Sequence, residues 1–188
     1  IRRQTHGSLK MQLANKVAIV TGGSRGIGRQ ISKLFAREGA KVVVTARSER
    51  EGEIPGTIHQ TVREIRAAGG EAIAVACDVA REDDIESLVK QALGRYGQID
   101  LLVNNAATRL DTHLVDTDRS DLERIFRVNV LGPFSLWKQV LPPMMERRQG
   151  NIINIISGNV ISGGTTAEAA PPRAPYRASK VALTFLSV

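Results

Sequence analysis

Five short runs of apolar, mostly β-branched residues recur along the chain, at 17–21, 41–46, 71–77, 99–104 and 151–156. Their hydrophobicity is nearly continuous rather than alternating, the pattern of strands covered on both faces. Between them, apolar positions fall three or four residues apart, which predicts helices near 27–38, 57–68, 81–96 and 120–145, with a last one starting near Ala174. Gly39, Gly69 and Gly97 stand where helix C-caps belong. Strand and helix alternate without internal repeat or low-complexity linker. The predicted fold is therefore α/β, a doubly wound parallel sheet in a three-layer α/β/α arrangement.

Composition narrows the picture. The chain has 188 residues, 42% of them hydrophobic, as for one ordinary globular domain. Residues 1–10 lack apolar periodicity and precede Met11, so we read them as an upstream extension and 11–188 as the domain. Cys77 is the one cysteine; no intrachain disulfide can form, and the residue reads as packing. No apolar run approaches the ~20 residues of a membrane span, and a cytoplasmic location is expected. Lysine and arginine exceed acids by 26 to 19, giving +7. The excess is scattered and aromatics are only 4%, so a phosphate-rich ligand explains it better than nucleic acid. No cysteine/histidine cluster suggests a metal.

In a doubly wound sheet, ligands bind beyond the carboxyl ends of the strands. After the first predicted strand comes Thr21-Gly22-Gly23-Ser24-Arg25-Gly26-Ile27-Gly28, a glycine-rich turn opening a helix. Gly22 permits a tight turn, Gly26 lets backbone approach phosphate oxygens, and Gly28 allows the helix to pack closely. After the second strand, Ala46 and Arg47 occupy the place where an acid would bind a ribose 2′-hydroxyl; arginine suits a 2′-phosphate instead, and Arg25 could reach the same group. Asp78, followed by Val79, fits either an adenine amino group or the capping of the helix near Arg81. Asn104-Asn105-Ala106-Ala107 fits a wall along a ribose or a plain polar turn.

The fifth run leads into Ser157, with Ser162 as a more distant rival hydroxyl, and the last helix carries Tyr176 and Lys180. Four residues apart, these two share a helical face. A free tyrosine ionises near pH ~10, and a fixed ammonium favours its phenolate. His113 and Trp137 read as surface or core residues.

Taken together, the Thr-Gly-x-x-x-Gly-x-Gly turn, Asp78-Val79, Asn104-Asn105-Ala106, Asn129, Ser157 and Tyr176-x-x-x-Lys180 closely resemble the short-chain dehydrogenase/reductase family, over nearly everything from Met11 to Val188. The resemblance implies a Rossmann-like fold and an NADP(H)-dependent oxidoreductase that moves a hydride between nicotinamide and a carbonyl or secondary alcohol, NAD(H) being the less favoured cofactor. It implies Tyr176 as general acid/base, Ser157 on the substrate carbonyl, Lys180 lowering the tyrosine pKa and holding the nicotinamide ribose, and Asn129 supporting a water-linked proton relay. The cofactor would be held by Gly22, Ser24, Arg25, Gly26, Ile27, Gly28, Arg47, Asp78, Val79, Asn105, Ala106, Tyr176 and Lys180. Pairing of the 120–145 and Tyr176 helices with copies of themselves would give a homodimer or homotetramer.

The chain departs from the family in three ways. Ala107 replaces a usual glycine; Ser157 and Tyr176 are 176 − 157 = 19 residues apart, more than the usual dozen or so; and the family's last two strands and substrate lid are absent from this stretch. The extra length falls in 163–175, expected to form a loop on the substrate side. The substrate stays open among 3-oxoacyl thioesters, steroids, sugars and small ketones. The rival to an enzyme is a non-catalytic, dinucleotide-binding scaffold or assembly subunit.

Overall fold

A computed structural model describes residues 11–47, 49, 55–157 and 173–187. Residues 1–10, Ser162 and most of the 163–175 segment lie outside the described residues. The apolar runs become strands β1 (Val17–Thr21), β2 (Lys41–Ala46), β3 (Glu71–Ala76), β4 (Leu101–Asn104) and β5 (Asn151–Asn154). All pair in parallel, in the order β3-β2-β1-β4-β5. The order reverses between β1 and β4, which opens a crevice at their carboxyl ends.

Helices α1 (Gly26–Arg37) and α2 (Ile58–Ala67) cover one face, burying Ala36, Ile58, Val62 and Ile65 against Val20, Val42, Val44 and Val103. The other face receives α3 (Glu82–Tyr96), α5 (Gly132–Glu146) and α6 (Ala174–Leu186), with Leu88, Trp137, Val140 and Leu183 packed on Ile19, Val43 and Leu102. Adjacent strand residues thus serve opposite cores, which is why the runs are apolar throughout. Trp137 is core and His113 is exposed. No helix among the described residues is long and apolar enough to cross a membrane.

Gly97 caps α3 at φ 76°, and Gly39 and Gly69 take φ 87° and 82° just past α1 and α2, as the sequence predicts. The strands β3, β4 and β5 are shorter than the apolar runs. The ladder on β5 ends with a bond from the Ile155 N–H to the Asn104 carbonyl, so Ser157 lies two residues beyond it. The expected 120–145 helix is not continuous. It consists of α4 (Arg119–Phe126), a π turn over Arg127–Leu131, and α5. Pro133 has no N–H for the Asn129 carbonyl four residues back, and the Gly132 N–H bonds to Arg127 O, five back.

At the amino ends of the strands, the Asp100 carboxylate accepts from Val17 N (2.8 Å), Gln98 Nε2 (2.8 Å) and Arg147 Nη1 (3.1 Å). Its backbone pairs with Val17 O and Asn151 N. One buried acid thus ties β1, β4 and β5 to the end of α5.

Candidate functional site

The turn after β1 is held from beneath. Thr21 Oγ1 accepts from the N–H groups of Asn105 and Ala106 and donates to Val103 O; Asn105 Nδ2 donates to Thr21 O (2.8 Å). Asn105 therefore braces the glycine turn as well as bordering the crevice. Gly22 adopts φ 65°, and a Cβ on Gly28 would stand 2.4 Å from Gly22 O and 2.4 Å from Asn105 Nδ2. Only glycine fits there. From the α2 side, the Thr61 hydroxyl donates to Gly23 O.

The start of α1 carries no side-chain cap and no acid in its first turn. Its leading N–H groups and positive dipole end are therefore left to an anion. Beside it runs a groove of about 270 Å³ lined by Gly22, Ser24, Arg25, Thr45, Ala46, Arg47, Cys77, Asp78, Val79, Asn105, Ala106, Ala107 and Val128. Eight residues expected at a cofactor from sequence share this one groove: Gly22, Ser24, Arg25, Arg47, Asp78, Val79, Asn105 and Ala106. Gly26, Ile27 and Gly28 are outside its lining. Ile27 is 62% exposed on the outer side of α1. The Asp78 carboxylate accepts from Ala80 N (3.0 Å), while Asp84 accepts from Asp78 N (2.9 Å), so the turn before α3 is closed locally.

Thr45 and Val128 were not singled out by sequence. The signal for Thr45 was available: it pairs in register with Thr21, at the carboxyl end of the neighbouring strand. Cys77 is buried; desolvation, reinforced by the charges of Asp84 and Asp78, pushes its thiol up to about 12. A thiol so raised is not a nucleophile at neutrality, in keeping with a packing role.

Val128 links the groove to the second part of the site. Its neighbour Asn129, on the π turn, is wholly buried; Oδ1 accepts from Thr108 N (2.8 Å), and Nδ2 donates to Thr108 O (2.9 Å) and Ser179 Oγ (3.0 Å). Lys180, only 2% exposed, donates from Nζ to Ile155 O (2.7 Å) at the end of β5. Burial lowers its pKa to about 8. The same Nζ lies 5.9 Å from the centre of the half-buried Tyr176 ring. Ser157 is half-buried two residues past Ile155, and no hydrogen bond joins it to Tyr176 among the described residues. A phenol, a buried ammonium and a hydroxyl thus gather at the carboxyl end of β5. Such a set can pass a proton to or from an oxygen.

A family model described as short chain dehydrogenase matches residues 16–187. Among curated proteins, the chain is 37% identical to a ketoacyl reductase, HetN, of Nostoc sp., over 77% of this chain and 48% of the relative. It is 38% identical to a 3-oxoacyl-[acyl-carrier-protein] reductase of Synechocystis sp., over 89% and 64%. It is 35% identical to an uncharacterized oxidoreductase of Thermotoga maritima, over 94% and 65%. The chain spans about half to two thirds of the length of these relatives. Among solved structures it is similar to a metagenomic short-chain oxidoreductase in complex with NADP, with TM-score 0.82, 35% identity, and 93% of this chain and 74% of the other covered. A short-chain type dehydrogenase/reductase from Mycobacterium marinum gives TM-score 0.82 at 29% identity, over 94% and 68%. With its glycine turn, its crevice at the strand reversal and its tyrosine-lysine helix, the chain belongs to the short-chain dehydrogenase family of oxidoreductases.

Proposed function

We propose that this chain is the cofactor-binding and catalytic part of an NADP(H)-dependent reductase of carbonyl compounds, running in reverse as an alcohol dehydrogenase. The observation that carries the reading is Lys180: a nearly buried ammonium held under the Tyr176 ring at the end of β5. Burying a charge is costly, and a cation beside a phenol repays that cost through function.

The groove fits a dinucleotide. The uncapped start of α1 and the glycine cradle suit a pyrophosphate, and Arg25 and Arg47 at the ends of the turn and of β2 suit a 2′-phosphate. When bound, the nicotinamide supplies the hydride. In the reducing direction Tyr176 gives its proton to the carbonyl oxygen as that oxygen gains charge, and the Ser157 hydroxyl donates to the same atom. Lys180 favours the phenolate left behind. Asn129, with its amide committed to Thr108 and Ser179, serves the water-linked relay through position.

The names of the Nostoc and Synechocystis relatives support beginning with 3-oxoacyl thioesters. Self-association through α4, α5 and α6 belongs to the same reading, supported by exposed Phe134, Met145 and Phe185. The test is consumption of NADPH by the purified chain across a panel of 3-oxoacyl thioesters, steroids, sugars and small ketones. Turnover of at least one class is expected. Saturable NADPH binding with no turnover in either direction would favour a non-catalytic scaffold.

A further inference from the structure

We infer that Ser179 is a positioning residue for Tyr176, coupling the Asn129 amide to the first turn of α6. The inference rests on the reading of Tyr176 as the proton donor.

The direction of every hydrogen bond in this cluster is fixed. Thr108 N can only donate and Thr108 O can only accept, so contacts of 2.8 and 2.9 Å orient the Asn129 amide with Oδ1 toward the N–H. The second Nδ2 hydrogen then points at Ser179 Oγ, 3.0 Å away, and Ser179 must accept it. The single hydroxyl proton is left for the Tyr176 carbonyl at 2.7 Å. Thr108, Asn129, Ser179 and Tyr176 form one chain of bonds with a single polarity. Asn129 and Ser179 are both fully buried, so water does not substitute for either.

The cluster joins the segment after β4, the π turn and α6. One residue further, Lys180 Nζ is fixed to Ile155 O. Two adjacent residues of α6 therefore grip two different elements, the π turn and the end of β5, which fixes both the rotation and the height of the helix. Tyr176 lies one turn before them and takes its place from that grip. Small displacements of a reacting group are expensive in rate, whereas the groove touches this cluster only at its edge, through Ala107 and Val128, and no residue of its lining is bonded to Ser179.

The test compares Ser179→Ala and Ser179→Thr with the wild-type full chain by turnover, NADPH titration and NMR of chains carrying ¹³Cζ-tyrosine. The chain has two tyrosines, Tyr96 and Tyr176, so each resonance is its own control. Ser179→Ala is expected to lower kcat roughly tenfold, to leave NADPH affinity within about twofold, and to move the Tyr176 resonance while Tyr96 stays. Ser179→Thr, which keeps the hydroxyl, is expected to restore most of kcat and the resonance. An unmoved Tyr176 resonance in Ser179→Ala overturns the inference, whether or not a substrate has been found. So does an unchanged kcat in the folded variant. A wild type without turnover counts against the proposed reaction, and the resonance still decides the role of Ser179.

Discussion

The two ends of the sheet use buried polar groups in opposite ways. At the amino ends, Asp100 is 3% exposed and its carboxylate oxygens are occupied by Val17 N, Gln98 and Arg147. At the carboxyl ends, the α1 N-terminus is uncapped, Arg47 is exposed in a groove, and Lys180 is a buried cation met by a carbonyl rather than an acid. The amino end is a closed latch; the carboxyl end has closed braces of its own, at Thr21–Asn105 and Asn129–Ser179, but beside them it presents donors to a ligand. Closed networks add stability, whereas uncompensated donors and buried charge subtract from it and are kept for binding and chemistry. Changes at the amino end should therefore cost stability with activity per folded molecule intact, and changes at the carboxyl end should do the reverse.

The largest stability effect is expected from Asp100→Ala. It frees a buried strand N–H and takes the acid from Arg147, which keeps its bond to Ile99 O and partial exposure to solvent, costing about 3 kcal/mol by denaturant unfolding. NADPH affinity of the remaining folded fraction should stay within about twofold. Loss of affinity without loss of stability would erase the contrast between the ends.

Lys180→Met sharpens the comparison through pH. The folded-state pKa of Lys180 is lowered to about 8 by burial, against an ordinary value of 10.5. Below pH 8 both folded and unfolded states hold the proton and the fold bears a buried charge. Between 8 and 10.5 the unfolded lysine keeps its proton while the folded one has released it, so this residue's contribution to stability rises with pH across that window. Relative to Lys180→Met, the wild type should gain roughly 3 kcal/mol from pH 8 to 10.5. Parallel stability curves for the two proteins would show that Lys180 is not desolvated.

A smaller effect is expected at the groove. Arg47→Asp should weaken NADPH by about 2 kcal/mol, or roughly thirtyfold, with little change for NADH. Equal weakening of both cofactors would remove Arg47 from the 2′-phosphate role.

Much of this arrangement was legible in the sequence because the signals are local. The apolar runs of β1 and β2 had to be covered on both faces, and Gly39, Gly69 and Gly97 marked the helix ends through their left-handed φ. The glycine turn, Arg47, Asp78 and Asn105 could be placed together because strand ends of a parallel sheet converge. What escaped depends on contacts between segments distant in sequence. The break at Arg127–Leu131 is the exception, a local signal passed over: Pro133 leaves the Asn129 carbonyl four residues back without a helical partner. The bracing of the glycine turn by Asn105 joins residues 84 apart, and the Asn129–Ser179 bond spans 50. The Tyr176–Lys180 spacing singles out those two residues and says nothing of Ser179 or its partner. Asp100 falls inside the apolar run 99–104 and drew no notice there, because its latch needs three strands to be adjacent.

In the proposed function Tyr176 handles the proton of an NADP(H)-linked carbonyl reduction, and its phenol takes no part in the networks that brace the sheet. The most direct measurement is kcat and thermal stability of Tyr176→Phe beside the wild type, on the best substrate of the carbonyl panel. A fall in kcat of about 10²–10⁴-fold is expected, with a melting temperature close to wild type. A Tyr176→Phe protein that turns over at the wild-type rate would contradict it.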